Sequence, residues 1–232
     1  VERLARKPMP QQEFVFVDPA SRNLLELARR VAKADVTALL TGPTGAGKEV
    51  LARVLHDASP RCNGPFVALN CAAMPENLIE DLLFGHEKGA FTGALREHMG
   101  VFEQARRQIA VDFRLIAATN KDLRAAMQAR EFREDLYFRI ATFRMRIPAL
   151  AERRMDILPL ARYMLNAHDH SGRHWQLNEE AETLLVEYPW PGNVRELSNV
   201  MQRALVLASG SVITADHLIF EECGDFADTT AT

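Results

Sequence analysis

Residues 42–50, which read GPTGAGKEV, have the composition of a phosphate-binding loop. The spacing of Gly42, Gly47 and Lys48 matches the pattern G-x-x-x-x-G-K, which binds nucleotide phosphates where it follows a strand and opens a helix. Glycines let backbone N–H groups converge on phosphate oxygens, the helix N-terminus adds partial positive charge, and the lysine reaches the terminal phosphate. We therefore predict a nucleotide site made of Gly42, Pro43, Thr44, Gly45, Ala46, Gly47, Lys48, Glu49 and Val50.

Glu49 departs from the usual form of this loop, in which a Ser or Thr hydroxyl after the lysine binds magnesium. The alternative interpretation is a glycine-rich turn that carries a surface lysine. The flanking segments argue against that alternative: DVTALLTG (35–42) has the pattern of a buried strand, and KEVLARVLHDAS (48–59) that of an amphipathic helix.

Further strands and helices alternate along the first part of the chain. SRNLLELARRVAKA (21–34) is typical of a helix that Ser21 caps, while PFVALN (65–70) and FRLIAATN (113–120) are typical of buried strands. This alternation predicts an α/β fold with a parallel sheet. After residue 149 the helical pattern dominates, which predicts a smaller all-helical lid subdomain at 149–222 after an α/β nucleotide-binding subdomain at 14–148. We expect a polar linker at 1–13 and a tail at 223–232.

Composition excludes several classes of protein. The chain has 232 residues and a net charge of -3, which argues against binding nucleic acid through this chain alone, because phosphate contacts need a basic surface. Three cysteines, Cys62, Cys71 and Cys223, lack paired spacing and are expected to be reduced, buried thiols rather than metal ligands. The sequence shows no secretory signal and no apolar run long enough to span a bilayer, so we expect a cytoplasmic protein with no membrane partner.

An expected acidic motif is absent. A hydrolysing enzyme with this loop needs an acidic pair at the end of a second strand, which holds magnesium and activates water. The sequence between VFEQA (101–105) and the strand at 113 contains no apolar run followed by Asp-Glu. Asp112 is the nearest carboxylate, but the predicted strand 113–120 spans about 26 Å and places it at the opposite end of the sheet from Asn120. The sequence therefore identifies no metal ligand.

The connection between residue 105 and the predicted strand at 113 is also too short. A helix that ends near Ala105 cannot reach a parallel central strand through so few residues, because such crossovers need about a dozen or more. Either the chain has an internal deletion around Arg106–Ile109, or its sequence joins two segments across residues that it leaves out. We expect the second, with a break near Arg106 or Arg107 and a Cα–Cα distance far above the roughly 3.8 Å of a bonded pair.

The stretch FGHEKGAFTGAL (84–95) carries a family resemblance. Its core, GAFTGA, resembles the signature of the bacterial enhancer-binding proteins, the AAA+ ATPases that activate σ54-dependent transcription. The resemblance implies that this loop contacts σ54 and that nucleotide state moves it, so that the closed promoter complex of RNA polymerase is remodelled. An exposed aromatic between glycine hinges suits that role, because aromatics anchor interfaces and glycines allow two loop positions. The implied partner-binding residues are Gly89, Ala90, Phe91, Thr92, Gly93 and Ala94.

The same resemblance assigns roles elsewhere in the chain. ALNCAA (68–73) is similar to the segment whose Asn, here Asn70, switches the catalytic glutamate, and IAATN (116–120) resembles sensor I, with Asn120 at the γ-phosphate. FREDLYFRI (132–140) is similar to the arginine-finger segment, which maps the fingers to Arg133 and Arg139; without the resemblance it is only an amphipathic helix with a charged face. WPGNVREL (190–197) resembles sensor II, with Arg195 on the nucleotide; the alternative is a turn and helix start that Asn193 caps.

The resemblance implies an ATPase that uses ATP and Mg²⁺ in a ring, usually of six and sometimes of seven subunits, with active sites between neighbours. It also implies flanking domains, a regulatory one and a DNA-binding helix-turn-helix. We therefore expect this chain to be the central domain alone, and DNA to be bound only by the helix-turn-helix domain, which is not in this sequence. ALAER (149–153) replaces the usual PLRER and puts Ala151 where a basic residue is usual. Two alternatives stay open: another AAA+ machine such as a protein unfoldase, and a non-hydrolysing, nucleotide-gated binding module.

Overall fold

The computed structural model describes residues 15–68, 113–169 and 173–220, together with two short strands at 85–86 and 98–99. The chain divides into two compact units, one made of Val1–Arg61 and Ile116–Thr232 and the other of Cys62–Leu115. The first unit carries the phosphate loop and the helical region that follows the sheet.

A three-stranded parallel sheet forms the centre of the first unit. Its strands are β1 (Ala38–Thr41), β4 (Ile116–Thr119) and β5 (Phe143–Arg146), in the order β4-β1-β5. Thr41 pairs with Thr119 on one side and with Arg146 on the other, so the three strands end in register. This alignment places the segments that follow them, among them the phosphate loop, at one edge of the sheet.

Four helices alternate with these strands along the chain: α1 (Pro19–Lys33), α2 (Lys48–Asp57), α3 (Leu123–Gln128) and α4 (Glu134–Ile140). The prediction that Ser21 caps α1 is wrong. Asp18 is the N-cap, and its side chain accepts a hydrogen bond from the Ala20 amide, while Pro19 starts the helix. Proline favours the first helical position because its fixed φ is already helical and it has no N–H to satisfy. Ser21 is instead buried, and its hydroxyl donates to the Asp18 carbonyl.

Three helices of 9 to 15 residues follow the sheet, as the sequence predicts: α5 (Ile157–His168), α6 (Glu179–Glu187) and α7 (Asn193–Leu207). Their apolar faces pack around the fully buried Trp190. We refer to this part, residues 149–220, as the lid. It is not wholly helical, because β6 (Gln176–Leu177) and β7 (Val212–Ile213) form a short parallel pair.

In the second unit, β2 (Gly85–His86) and β3 (His98–Met99) pair antiparallel, with His86 opposite His98. The strand predicted at 65–70 is wrong for its described part: residues 65–68 are irregular, and the side chain of Val67 is 74% exposed. A strand is stable only with a neighbour to hydrogen-bond, and residues 65–68 pair with no strand that the structure describes. Cys62 is a free thiol, as expected, but it is exposed rather than buried.

Several predictions fall outside the described residues. They concern the linker at 1–13, Asn70, Cys71, the loop Gly89–Ala94, the junction at Arg106–Ile109, Asp112, Cys223 and the tail. Among the helices within the described ranges, none has the length and apolar character needed to cross a membrane.

Candidate nucleotide-binding site

The phosphate loop connects the end of β1 to the start of α2. Gly42 donates its amide proton to the Thr119 carbonyl of the adjacent strand at 3.3 Å, which fixes the entry of the loop. Gly45 and Gly47 have φ values of +76° and +97°, a left-handed conformation that costs little only for glycine. Gly47 is the N-cap of α2 and has no side chain to satisfy the first-turn amides, so this helix N-terminus is available to an anion.

Lys48 lies in the concave side of this loop. Its Nζ donates to the carbonyls of Gly42 and Pro43, each at 2.9 Å. Burial, and then the nearby positive charge of Arg195, lower the pKa of Lys48 below its ordinary value. Two cations that repel each other beside a helix N-terminus favour an anionic ligand, which would relieve that repulsion.

Asn120 follows β4 and reaches the same loop. Its Nδ2 donates to Oγ1 of Thr44 at 3.1 Å. The structure therefore brings together three of the residues that the resemblance implies, Lys48, Asn120 and Arg195, although they are far apart in the sequence. Glu49 points elsewhere: it is exposed and pairs with Arg53 one turn along α2 at 3.3 Å.

The start of α7, within the lid, is bonded directly to the phosphate loop. Val194 donates its amide proton to the Gly45 carbonyl at 3.1 Å. A side chain at Gly45 would collide with the carbonyl oxygen of Gly192, so the glycine is required for this approach as well as for its φ. The loop and the lid thus meet backbone to backbone.

Asn193 has a central position that sequence reasoning missed. The interpretation that it caps α7 is wrong, because Gly192 is the N-cap and Asn193 is the first helical residue. Its Nδ2 donates to the Thr44 carbonyl at 3.1 Å, and its Oδ1 accepts from the Leu150 amide at 2.8 Å. The side chain is 2% exposed and the backbone φ is +56°. One buried side-chain amide therefore joins the phosphate loop and the start of α7 to the start of the lid at Leu150. Asn tolerates a left-handed φ better than most residues, so an asparagine directly after Pro191 and Gly192 is the local sequence signal.

An apolar cavity of about 150 Å³ lies next to the loop, and no pattern in the sequence predicts it. It is lined by residues from the segment before α1, the start of α2, the end of β5 and the lid, with Arg153 as the charged member of the set. The lining residues are Val15, Phe16, Leu24, Ala46, Gly47, Val50, Leu51, Ile147, Arg153, Leu160, Tyr163, Met164 and Val194. A mostly apolar cavity beside a phosphate site suits a flat aromatic ring linked to phosphate, as in a nucleotide.

The two predicted arginine fingers are not among the residues that these contacts gather. Arg133 precedes α4 as its N-cap, and Arg139 lies in the last turn of that helix. Arg133 makes a bidentate pair with Asp135, at 3.0 and 2.9 Å, and this pair lowers the pKa of the Asp135 carboxyl. Phe138, on the same short helix, is 66% exposed. Helix α4 thus presents charge and an aromatic ring to the solvent.

The described residues show no metal centre. No group of three or more His, Cys, Asp or Glu side chains placed to hold a metal ion occurs within the described ranges. Glu49, in the position of the usual magnesium hydroxyl, is engaged with Arg53.

Comparisons with known proteins place this site in a family. The model of the sigma-54 interaction domain matches residues 14–109 and 104–146, and that of the AAA+ ATPase lid domain matches 151–225. The response regulator FleR of Pseudomonas aeruginosa is 44% identical, with 86% of this chain and 50% of that protein aligned. The sigma54-dependent transcriptional activator SfnR of Pseudomonas putida is 39% identical, over 88% of this chain and 66% of the relative. The chain thus spans between half and two thirds of the length of these relatives.

A solved structure shares the fold. The crystal structure of NtrX from Brucella abortus in complex with ATP has a TM-score of 0.73 and 32% sequence identity, and the match covers 89% of this chain and 54% of NtrX.

The relatives also have residues that this chain lacks. The alignment with FleR runs over 236 residues, but 86% of 232 is about 200, so about 36 aligned positions of FleR have no counterpart here. The same reasoning gives about 37 for SfnR, since 88% of 232 is about 204 and that alignment runs over 241 residues. The two matches to the sigma-54 interaction domain overlap at 104–109, which is where the sequence predicts missing residues. With its phosphate loop, its lid and these matches over most of its length, the chain belongs to the sigma-54 interaction family of AAA+ ATPases.

Proposed function

We propose that this chain binds ATP at the phosphate loop and that its hydrolysis drives the remodelling of σ54-RNA polymerase. The convergence of Lys48, Arg195 and Asn120 on one loop is the observation that carries this proposal. Lys48 and Arg195 supply positive charge for the phosphates, and Asn120 lies where a terminal phosphate would end. The apolar cavity receives the adenine ring, with Phe16 and Tyr163 in its wall.

Lys48 has a specific part in this proposal. In the structure its ammonium satisfies two loop carbonyls, and it exchanges these partners for phosphate oxygens when ATP binds. A charge-assisted contact with phosphate is stronger than a contact with a neutral carbonyl, so the exchange favours binding. Phosphate also relieves the repulsion between Lys48 and Arg195, which adds to the preference for a polyanion.

Magnesium accompanies ATP in this proposal. The ion binds mainly through phosphate oxygens and water, and one or two carboxylates usually complete its shell. No group of three or more metal-ligating side chains occurs within the described residues, so we assign no protein ligand to the ion. The resemblance assigns this duty to an acidic pair that this sequence does not contain between residues 101 and 113.

We propose that the arginines of α4 act on a neighbouring subunit. Arg133 and Arg139 are exposed at the two ends of α4, outside the cluster of contacts around the loop of their own chain. Assembly into a ring of six or seven copies would place these guanidinium groups beside the γ-phosphate of the neighbour, where they stabilise charge in the transition state. Asn70 completes the proposed set as the switch to the catalytic glutamate.

The loop Gly89–Ala94 is the proposed contact with σ54, and Phe91 is its anchor. The antiparallel pairing of β2 with β3 fastens the chain on both sides of residues 87–97. Small movements at that base would therefore be passed to the segment that it holds. SfnR is named as a sigma54-dependent activator, which supports the same partner here. FleR is named as a response regulator, which supports a place in a two-component system. In this proposal DNA is met through a separate helix-turn-helix domain, and no membrane partner is needed.

The experiment that tests nucleotide binding is Lys48→Ala, with Lys33→Ala as the control. Lys33 is an exposed lysine in the last turn of α1, so its loss changes the net charge equally without touching the loop. We expect Lys48→Ala to abolish ATP hydrolysis and to weaken ATP binding at least about a hundredfold, because it removes a charged contact worth about 3 kcal/mol. ATP binding measured by calorimetry that is equal in the two variants would refute the assignment.

A second candidate function is a nucleotide-gated binding module that does not hydrolyse ATP. The observations that favour it are the absence of about 36 aligned positions of FleR and the lack of an acidic pair between residues 101 and 113. Peptide mapping across Arg106–Ile109 of the protein expressed from its gene decides whether further residues lie there. If the peptide is continuous as printed, we expect ATP binding without measurable phosphate release; if about 36 further residues are found at this junction, hydrolysis is expected.

A further inference from the structure

Two charged side chains of the lid are buried close to the phosphate loop. Arg153 is 5% exposed and Asp156 is fully buried, and their side chains pair, with Nη1 and Oδ2 3.7 Å apart. They lie in the two short 3-10 turns Leu150–Glu152 and Arg154–Asp156 that link the sheet to α5, with Arg153 between the turns. The assignments made above give neither residue a part in ATP binding or hydrolysis.

Each member of the pair is bonded to a different, distant part of the chain. Arg153 donates from Nη2 to the Ala46 carbonyl inside the phosphate loop at 2.6 Å. Asp156 accepts at Oδ1 from the amides of Val17 and Asp18, each at 2.7 Å. A bond in the other direction supports this contact: Oδ2 of Asp18 accepts a hydrogen bond from the Met155 amide at 3.3 Å. The pair therefore connects the phosphate loop to the segment that leads into α1, which we call the entry segment (residues 15–18).

The pair is a costly way to stabilise a fold. Burial lowers the pKa of Arg153, which shows that its charged form is penalised there. Nε of Arg153 and Oδ2 of Asp156 are buried without a hydrogen bond. Buried ion pairs can often be replaced by apolar residues of similar size with no loss of stability. What an apolar pair cannot reproduce is the set of directed bonds to Ala46 and to the entry segment.

The entry segment also borders the proposed base site. Val15 and Phe16 line the apolar cavity together with Ala46 and Arg153. A base in the cavity contacts the entry segment, while its phosphates contact the loop that contains Ala46. We propose that Arg153 and Asp156 are positioning residues that fasten the entry segment to the phosphate loop, so that base and phosphate recognition act as one site. This inference rests on the proposed binding of ATP.

The test compares ATP with tripolyphosphate, which has the phosphates but no base. Asp156→Ala frees the entry segment and leaves Lys48 and Arg195 in place. We expect ATP affinity to fall about tenfold or more, while tripolyphosphate affinity, measured by the same calorimetry, stays within about twofold. Hydrogen exchange provides the second readout: in the original chain ATP protects the Val17 and Asp18 amides, and in Asp156→Ala it does not.

Asp156→Asn is the matched control, because its amide oxygen still accepts from the two backbone N–H groups although the charge is gone. We expect it to recover most of the ATP affinity and of the amide protection. The double variant Arg153→Met/Asp156→Leu provides a folded reference if Asp156→Ala does not fold. It should unfold at a similar urea concentration to the original chain, yet show the same selective loss of ATP affinity.

Three results would overturn the proposal: equal losses for ATP and tripolyphosphate, ATP binding that is unchanged in the double variant, or ATP protection of Val17 and Asp18 that survives Asp156→Ala. A failure of the proposed function looks different. In that case Lys48→Ala leaves both ligands bound as before, whatever happens at Asp156.

Discussion

Asn193→Ala should destabilise the chain and uncouple the lid from the phosphate loop. The substitution leaves the Leu150 N–H without the acceptor that it has at 2.8 Å, in a place where water has little access. A buried donor left unsatisfied costs about 1–3 kcal/mol. The left-handed backbone, with φ +56°, costs alanine about 1–2 kcal/mol that asparagine partly avoids. We therefore expect a loss of about 3 kcal/mol in the free energy of unfolding, out of a typical total of about 5–15 kcal/mol.

The assay is urea unfolding followed by tryptophan fluorescence. Trp190 is fully buried in the lid core, so its fluorescence changes when the lid core unfolds. Asn193→Gly separates the two contributions, because glycine accepts the left-handed φ and lacks the side-chain bonds, so it should recover about 1 kcal/mol relative to alanine. Asn178→Ala is the matched control: Asn178 caps α6 by accepting from the Ala181 amide, and its removal should cost only about 1 kcal/mol and leave ATP binding unchanged.

The affinity of the Asn193 variants for ATP tests the functional part of this prediction. Asn193 donates to the Thr44 carbonyl, so both Asn193 variants should bind ATP more weakly even where they remain folded. The reasoning is refuted if Asn193→Ala loses no more stability than Asn178→Ala, or if it binds ATP as the original chain does.

Three further predictions concern the loop and the proposed interfaces. Gly45→Ala should abolish ATP binding, as seen by calorimetry, because a side chain at φ +76° collides with the Gly192 carbonyl; retained affinity would show that the lid gives way. Arg139→Ala should bind ATP nearly normally but hydrolyse it about 10³-fold more slowly, and mixing with Lys48→Ala should restore some phosphate release; no rescue between assembled variants would contradict a shared site. Phe91→Ala should keep ATPase activity within a few-fold and keep its thermal midpoint, yet lose co-migration with σ54 in the presence of a transition-state analogue; a variant that still binds σ54, or that unfolds, would contradict the anchor role.

The phosphate loop, its strand and its helix could be predicted from the sequence because their determinants are local. Glycines, a lysine and an apolar run within about fifteen residues fix both the conformation and the chemistry. The N-cap of α1 is also a local feature, since Asp18 before Pro19 is a helix-start signal. Ser21 lies inside the first turn of the helix and is buried, so it is not the cap.

The remainder of the site depends on contacts between distant residues. Arg153 lies in a polar stretch, where an arginine is usually solvated, and only the fold shows that it is buried against Ala46. The cavity is lined by residues from 15–24, 46–51, 147–164 and 194, so no single stretch has a recognisable pattern for it. The strand expected at 65–70 had the right composition, but composition does not supply the neighbour with which a strand must pair.

The position of β4 at the end of the sheet has a consequence for solubility. Within the described residues β4 is bonded to β1 on one side and to no strand on the other. Its residues, Ile116–Thr119, include no charge and no proline, the usual protection of an edge strand against other chains. If the chain is truly shorter than its relatives by about 36 residues, and no strand outside the described ranges pairs with β4, this edge is a template for intermolecular strand addition, and aggregation should increase with protein concentration. ATP would offer little protection, because it binds beyond the ends of the strands and not along this edge.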